Sequence, residues 1–385
     1  MRSVYLDYAA ATPLDGRVKK AMEPFLSKEF GNPSSIHSYG IRAKKALEQA
    51  RGSIAGHLGA VAKEIVFTSG GTESNTMALL GVANAYRVYG KHIIVSSTEH
   101  PSILESCKYL EKHGYKVTYL PVDQSGYIRL EELKKALTSD TILVSIVYAQ
   151  NETGVTQPLR DISKIVRRIK DTSSHRLPFL HTDASQAVGV CDLSVDRLGV
   201  DLMTLHASKI YGPRGTGLLY VRSGVHLQPI LYGGGQQDAI RPGTENVVGA
   251  VGFAKALDLA EKMSVKEIRR FTRLRDMMTT RLQKEIPGIR INSIPEGLPT
   301  IVHISISDID GEAAVMYLDA RGIAASTGSA CSSVARKKSH ILEAIGLLPN
   351  EIKGSLRFSL GRWTRTQDID YTIDTLKKVI TRLHQ

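Results

Sequence analysis

Seven short apolar runs, at 64–68, 92–95, 116–120, 142–147, 179–182, 202–205 and 218–221, recur through the first two thirds of the chain, with amphipathic helical stretches between several of them. Runs that are apolar on both faces and joined by helical crossovers predict a mainly parallel sheet buried between helices, an α/β fold. The stretch 73–89 reads as one such helix, entered through the tight turn Ser69-Gly70-Gly71-Thr72. In sheets of this kind ligands lie beyond the carboxyl ends of the strands, so reactive side chains are expected there.

After residue 249 the pattern changes to a long charged helix over 254–283, another apolar run at 301–306, and further helices. That change predicts a second, smaller α+β domain. The expected division is a large domain over 14–255 and a small one made of 1–13 together with 256–385.

Four strand ends carry residues that could do chemistry. Lys209 follows the run 202–205 and precedes the glycine-rich turn Tyr211-Gly212-Pro213-Arg214-Gly215-Thr216-Gly217. A lysine so placed can lose its proton and attack a carbonyl, or it can be a solvated loop residue. Gly71 and Thr72 open a helix with free backbone N–H groups, suited to a phosphate or simply to a hydroxyl cap. Asp183, in His181-Thr182-Asp183-Ala184-Ser185-Gln186, can keep a pyridine nitrogen protonated or cap the next helix. His100, in Thr98-Glu99-His100-Pro101-Ser102, can stack on a ring, shuttle a proton, or serve structure alone. An anion turn, a carboxylate, an imidazole and an amine at neighbouring strand ends make a cradle for pyridoxal 5'-phosphate, with Lys209 as the Schiff-base lysine.

Composition narrows the class. With 42% hydrophobic and 23% charged residues among 385, the chain is an ordinary globular one without a disorder signature. Its apolar runs are too short to cross a bilayer, and its first residues lack the apolar stretch of a secretory leader, so no membrane association and a cytoplasmic location are expected. The net charge of +12 is scattered and aromatics are only 6%, so direct nucleic-acid binding is not expected, although an acidic protein partner would suit the surface. Three cysteines cannot make a disulfide framework and none sits in a zinc pattern, so no metal is expected. Cys107, at helical spacing to Leu104 and Leu110, reads as packing, and Cys191 lies beside Val188 and Val190. Cys331 instead sits in the small, polar stretch Ser326-Thr327-Gly328-Ser329-Ala330-Cys331-Ser332-Ser333, followed by Arg336, Lys337, Lys338 and His340, whose charge favours a thiolate.

The chain resembles the cysteine desulfurases of the NifS/IscS type, a branch of the class V aminotransferases with fold type I architecture. The likeness runs in order through Tyr5-Leu6-Asp7-Tyr8-Ala9-Ala10-Ala11-Thr12-Pro13, Gly31-Asn32-Pro33-Ser34-Ser35, the 68–72 turn, the His100 segment and Asn151-Glu152-Thr153-Gly154. It continues through 181–186, 209–217, Gly233-Gly234-Gly235-Gln236, Arg241-Pro242-Gly243-Thr244-Glu245-Asn246, Ser329-Ala330-Cys331 and Leu356-Arg357-Phe358-Ser359. The resemblance implies that His100 stacks over the pyridoxal ring and assists proton transfer, that Asp183 pairs with the ring nitrogen, and that Gln186 bonds the ring hydroxyl. Gly71, Thr72, His206 and Ser208 would hold the phosphate, with Thr244 reaching in from the second subunit of a homodimer whose active sites are shared. Asn151 and Arg357 would receive the carboxylate of L-cysteine, and Cys331 would take its sulfur as a persulfide, releasing alanine and passing the sulfur to an acceptor protein. Selenocysteine lyases and other class V lyases or aminotransferases share the fold, and a non-catalytic sulfur-pathway scaffold is a rival of another kind.

The sequence departs from that family pattern in places. The family usually reads Ser-x-His-Lys at the lysine, whereas this chain has His206-Ala207-Ser208-Lys209, with hydroxyl and imidazole exchanged. Both can donate to a phosphate, so cofactor binding is expected to survive. The chain ends at Gln385, earlier than IscS-type members whose tail docks an iron–sulfur scaffold, which leaves the acceptor open.

Overall fold

The computed structural model describes residues 2–328 and 339–384. Its strands among those residues are β1 (Val4–Tyr5), β2 (Ile65–Thr68), β3 (His92–Ser96), β4 (Lys116–Leu120), β5 (Thr141–Ser145), β6 (Phe179–Asp183), β7 (Leu202–His206), β8 (Gly217–Val221), β9 (Ile289–Ile291), β10 (Ile301–Ile306), β11 (Ile323–Ala324) and β12 (Ser355–Ser359). Strands β2 to β8 form one seven-stranded sheet in the order β2-β8-β7-β6-β5-β3-β4. Each occupies one of the seven apolar runs, because a strand covered on both faces must be apolar on both. The pairs β7–β6, β6–β5, β5–β3 and β3–β4 are parallel. Strand β8 alone runs antiparallel to its neighbours β2 and β7. The stretch from His206 to Gly217 holds only a 3₁₀ turn and a glycine loop, too little for a helical crossover, so the chain returns antiparallel.

This topology places the carboxyl ends of β2, β3, β5, β6 and β7 on one edge. The 69–71 turn, the 97–100 segment, the 146–151 segment, Asp183 and the His206–Lys209 turn therefore lie side by side. One close approach is needed to bring the first of these in. A Cβ at Gly217 would lie 2.6 Å from the Cα of Gly70, so only glycine lets the β8 start pass beneath the turn.

The long helix spans Val247–Glu285, 39 residues, and starts earlier than the charge pattern implies because the Asn246 side chain caps it by accepting from the Gly249 N–H. It serves two cores. Ala250, Phe253, Leu257 and Ala260 pack into the main core under the large sheet, whereas Phe271, Leu274, Met278 and Leu282 pack into a second core. That second core is built on the antiparallel sheet β12-β10-β9, the helix Thr366–Leu383 and the N-terminal chain, where β1 pairs in parallel with β11. Leu342, Ile345, Leu347 and Ile352 join the main core, so the stretch after residue 339 is anchored to the large sheet's side of the molecule. Among the described residues no helix is long and apolar enough to cross a membrane.

Candidate active site

The helix Gly71–Tyr86 begins at the end of β2 without any side-chain cap. Neither Ser69 nor Thr72 caps it. The Ser69 N–H donates to Glu73 Oε2 at 2.5 Å, and Glu73 is held by Arg241 at 2.8 Å. The hydroxyl of Thr72 is exposed at the helix entrance. Ser185 Oγ is buried with no hydrogen-bond partner and lies 3.5 Å from where a Gly71 Cβ would stand. His206 Nε2 lies 3.4 Å from the corresponding position on Gly70. An uncapped helix start, an orphaned hydroxyl and an imidazole converging on a glycine turn form an anion cradle.

Asp183, at the end of β6, accepts from Asn75 Nδ2 at 2.7 Å through Oδ2 and from the Ser185 N–H at 2.9 Å through Oδ1. Behind it His181 is fully buried between Ser145 Oγ (2.8 Å) and Thr204 Oγ1 (3.2 Å), and burial pushes its imidazole well below the usual value. His100 heads the helix Pro101–Lys112 and caps it: Nδ1 accepts from the Ser102 N–H at 3.1 Å and lies 2.8 Å from Ser102 Oγ. Burial lowers the pKa of His100, and Lys209 lowers it further, while the Asp183 charge pulls the other way. His206 is likewise pushed down, first by burial and then by Lys209. Glu99, between β3 and His100, is fully buried and takes the Val147 N–H at 2.6 Å; burial pushes its carboxyl well up, and Asp183 adds to that.

Lys209 ends a 3₁₀ turn, Ala207–Lys209, that continues β7. Its Nζ donates to the carbonyls of Ala9 (2.8 Å) and Ala10 (2.7 Å), and Gln186 Nε2 donates to the same Ala9 carbonyl at 2.9 Å. The N-terminal segment thus forms one wall of the site. Thr12 fastens that wall, its N–H and hydroxyl donating to the Ser208 carbonyl at 3.0 and 2.8 Å. The exchanged pair sits in contact, with Ser208 Oγ 3.3 Å from His206 Nε2.

Arg357, in the middle of β12, is 2% exposed. Nη1 donates to the carbonyls of Asn151 (2.9 Å) and Gly328 (3.0 Å), and Nη2 pairs with Asp7 Oδ1 at 2.7 Å. Its Nε–H is buried without an acceptor, which leaves donor capacity for a carboxylate. Gly328 is the last described residue before Cys331; Cys331 itself, Ser329-Ala330 and the run Arg336-Lys337-Lys338 lie outside the described residues. On the far side of that stretch Ser339 Oγ donates to Glu152 Oε2 at 2.6 Å, and His340 Nε2 lies 3.0 Å from the Glu99 carbonyl. Burial raises the pKa of Glu152. The other two cysteines are unlike a sulfur carrier. Cys107 is buried beside Ile103 and Leu110, and burial pushes its thiol up, while the Cys191 thiol is pushed up to about 12.

The fold thus gathers Gly71, His100, Asp183, Gln186, His206, Ser208 and Lys209 at one edge of the sheet, and brings Arg357 to the Asn151 carbonyl. Thr244 is not among them; it is exposed, in a segment where the Gly243 N–H donates to Gln236 Oε1 at 3.0 Å. Residue patterns missed Asn75, Ser102, Ser185 and Asp7. Asn75 stands one helical turn after Gly71, a spacing that would have placed it on the same face as the anion turn.

The residues fit pyridoxal 5'-phosphate: an anion cradle, a carboxylate held by two donors, an imidazole and a lysine amine lie together at the carboxyl edge of the large sheet. The model of the Aminotransferase class-V family matches residues 4–372. Cysteine desulfurase IscS of Dictyoglomus turgidum is 47% identical over 99% of this chain and 95% of its own length. Cysteine desulfurase IscS 1 of Archaeoglobus fulgidus is 44% identical over 98% of this chain and 97% of its own. Among solved structures, a NifS-like protein superposes with a TM-score of 0.92 at 35% identity, covering 99% of this chain and 100% of that one. The chain therefore belongs to the class V aminotransferase family of pyridoxal-phosphate enzymes.

Proposed function

We propose that the chain is a cysteine desulfurase that converts L-cysteine to L-alanine and collects the sulfur on Cys331 as a persulfide for delivery to an acceptor protein. The observation that carries this reading is the convergence of the Gly70–Gly71 turn, His100, Asp183 and Lys209 on one sheet edge, with the orphaned Nε–H of Arg357 in the same molecule. When bound, pyridoxal 5'-phosphate supplies the electron sink for breaking the bond between the substrate α-carbon and its hydrogen. Lys209 Nζ takes and returns that proton. Asp183 would pair with the ring nitrogen, Gln186 with the ring hydroxyl, and Gly71, Thr72, His206 and Ser208 would hold the phosphate. Arg357 grips the substrate carboxylate by its planar fork beside Asn151. The Cys331 thiolate attacks the substrate sulfur, so that the new sulfur–sulfur bond forms as the bond between that sulfur and the substrate Cβ breaks; the electron pair of the broken bond stays with the three-carbon fragment, and a proton added at Cβ makes it alanine.

The working unit is a homodimer whose subunits share their sites, with Thr244 completing the partner's phosphate cradle. Exposed apolar side chains support it: Leu26 is 65%, Phe30 69%, Ile36 93% and Tyr232 81% exposed, four large apolar groups left facing solvent in the single chain. The segments bearing them meet, since Pro33, Ser34, Gly235 and Gln236 line one cavity of about 580 Å3 next to Glu245. The acceptor is a protein, and the cytoplasm is the compartment that a chain with three cysteines and no disulfide framework suits.

The test is alanine production from L-cysteine with a reductant, compared between the parent and Cys331→Ser. The reading requires alanine from the parent and its loss in the variant. Release of selenide from selenocysteine that survives in Cys331→Ser, with no desulfuration of cysteine by the parent, would instead mark a selenocysteine lyase.

A further inference from the structure

Asn75 and Ser102, to which no role has been given, join Asp183 to His100. Asn75 is fully buried, and its amide nitrogen gives one hydrogen to Asp183 Oδ2 at 2.7 Å and the other to Ser102 Oγ at 2.9 Å. The carboxylate sets the amide's orientation, because the flipped amide would bring Asn75 Oδ1 against Asp183. Ser102 Oγ therefore accepts from Asn75, and its own hydrogen is free for His100 Nδ1 at 2.8 Å. The Ser102 backbone N–H points at the same nitrogen from 3.1 Å. A backbone N–H can only donate, so Nδ1 carries a lone pair and the ring hydrogen sits on Nε2.

We infer that Asn75 and Ser102 are positioning residues that hold His100 as the neutral tautomer protonated at Nε2. Direction runs one way along the chain: Asn75 donates to both Asp183 and Ser102, and Ser102 donates to His100. His100 then meets the substrate as a hydrogen-bond donor, not as a base, which leaves the proton-abstracting role to Lys209. The charged and titratable groups facing His100 are Asp183, which favours its protonated form, Lys209 and His340, which oppose it along with burial, and the His206 imidazole, whose own protonation His100 opposes. Glu99, the residue before it, is pushed toward its neutral form by burial. The inference rests on the proposed placing of His100 at the pyridoxal ring for its meaning in catalysis, but the tautomer is a property of the chain itself.

The experiment uses the full chain labelled with 15N-histidine, recorded by two-dimensional NMR with and without pyridoxal 5'-phosphate, with His100 assigned by the signal lost in His100→Asn. At pH 8 the ring of His100 is expected to show a protonated Nε2 and an acceptor Nδ1. In Ser102→Ala the hydroxyl donor is gone, and the protonation midpoint of His100 is expected to rise by roughly half to one pH unit. Ser102→Thr keeps the hydroxyl and is expected to restore the parent midpoint. A parent His100 protonated at Nδ1, or an unchanged midpoint in Ser102→Ala, overturns the inference. Since these spectra need no turnover, a chain with the expected tautomer but no desulfuration of L-cysteine would sink the functional reading and leave this one standing.

Discussion

Asp7→Ala probes the link between the N-terminal wall and Arg357, the proposed receiver of the substrate carboxylate. Asp7 Oδ1 lies 2.7 Å from Arg357 Nη2, and the two side chains are 20% and 2% exposed, so the pair is shielded from water. Removing the carboxylate leaves the guanidinium buried with only the Asn151 and Gly328 carbonyls, both on Nη1. A hydrogen bond to a charged group contributes about 1.5–3 kcal/mol, and breaking a buried pair costs up to about 3–5; the two remaining acceptors argue for the lower figure. At about 1.4 kcal/mol per factor of ten, a loss of that size predicts a KM for L-cysteine raised about 10- to 100-fold. Asp7→Asn retains an acceptor oxygen for Nη2 and is expected to lie within about tenfold of the parent. The assay is initial-rate alanine formation across cysteine concentrations, with urea unfolding of each variant alongside. A KM for Asp7→Ala within twofold of the parent would refute the argument that Asp7 aims Arg357.

The cradle, the loop anchors and the buried imidazoles yield further expectations. His206→Ala should weaken pyridoxal 5'-phosphate binding about 10- to 100-fold, the loss of one charge-assisted hydrogen bond, as read by absorbance titration of the cofactor-free protein; unchanged affinity would remove His206 from the cradle. Glu152→Ala strands Ser339 Oγ, so its unfolding free energy should fall by about 1–3 kcal/mol in urea, whereas Glu152→Gln keeps an acceptor and should lose less than about 1. His303 is fully buried and its imidazole is lowered to about 3, first by burial and then by Arg357. Its folded value is depressed below the unfolded 6.5, so its contribution is complete above pH 6.5 and is lost as the pH falls toward 3. The stability difference between the parent and His303→Gln should then shrink below pH 6, at up to about 1.4 kcal/mol per pH unit, and a difference that is flat with pH would contradict this.

The large sheet was legible because each buried strand leaves a continuous apolar run, and the meeting of Lys209, Asp183 and His100 at one sheet edge was legible because each ends or closely follows one of those runs. The reversal of β8 was not read from those runs, since an apolar run carries no direction; only the shortness of the His206–Gly217 connection does. Asp7 and Arg357 lie 350 residues apart in sequence, and nothing in either segment's composition marks the other as its partner. Asn75 and Ser102 look like ordinary polar residues of amphipathic helices. Their significance arises only when the crossovers carry the two helix starts to Asp183, a tertiary fact with no local signature. Thr244 shows the opposite case, a residue singled out by motif that the single chain leaves exposed.

The most direct test is the mass of the Cys331 peptide from the cofactor-loaded protein after one addition of L-cysteine without reductant. The account predicts that Cys331 gains one sulfur atom, in step with the alanine released, and that Cys107 and Cys191 gain none. Alanine formed while Cys331 stays unmodified would contradict it.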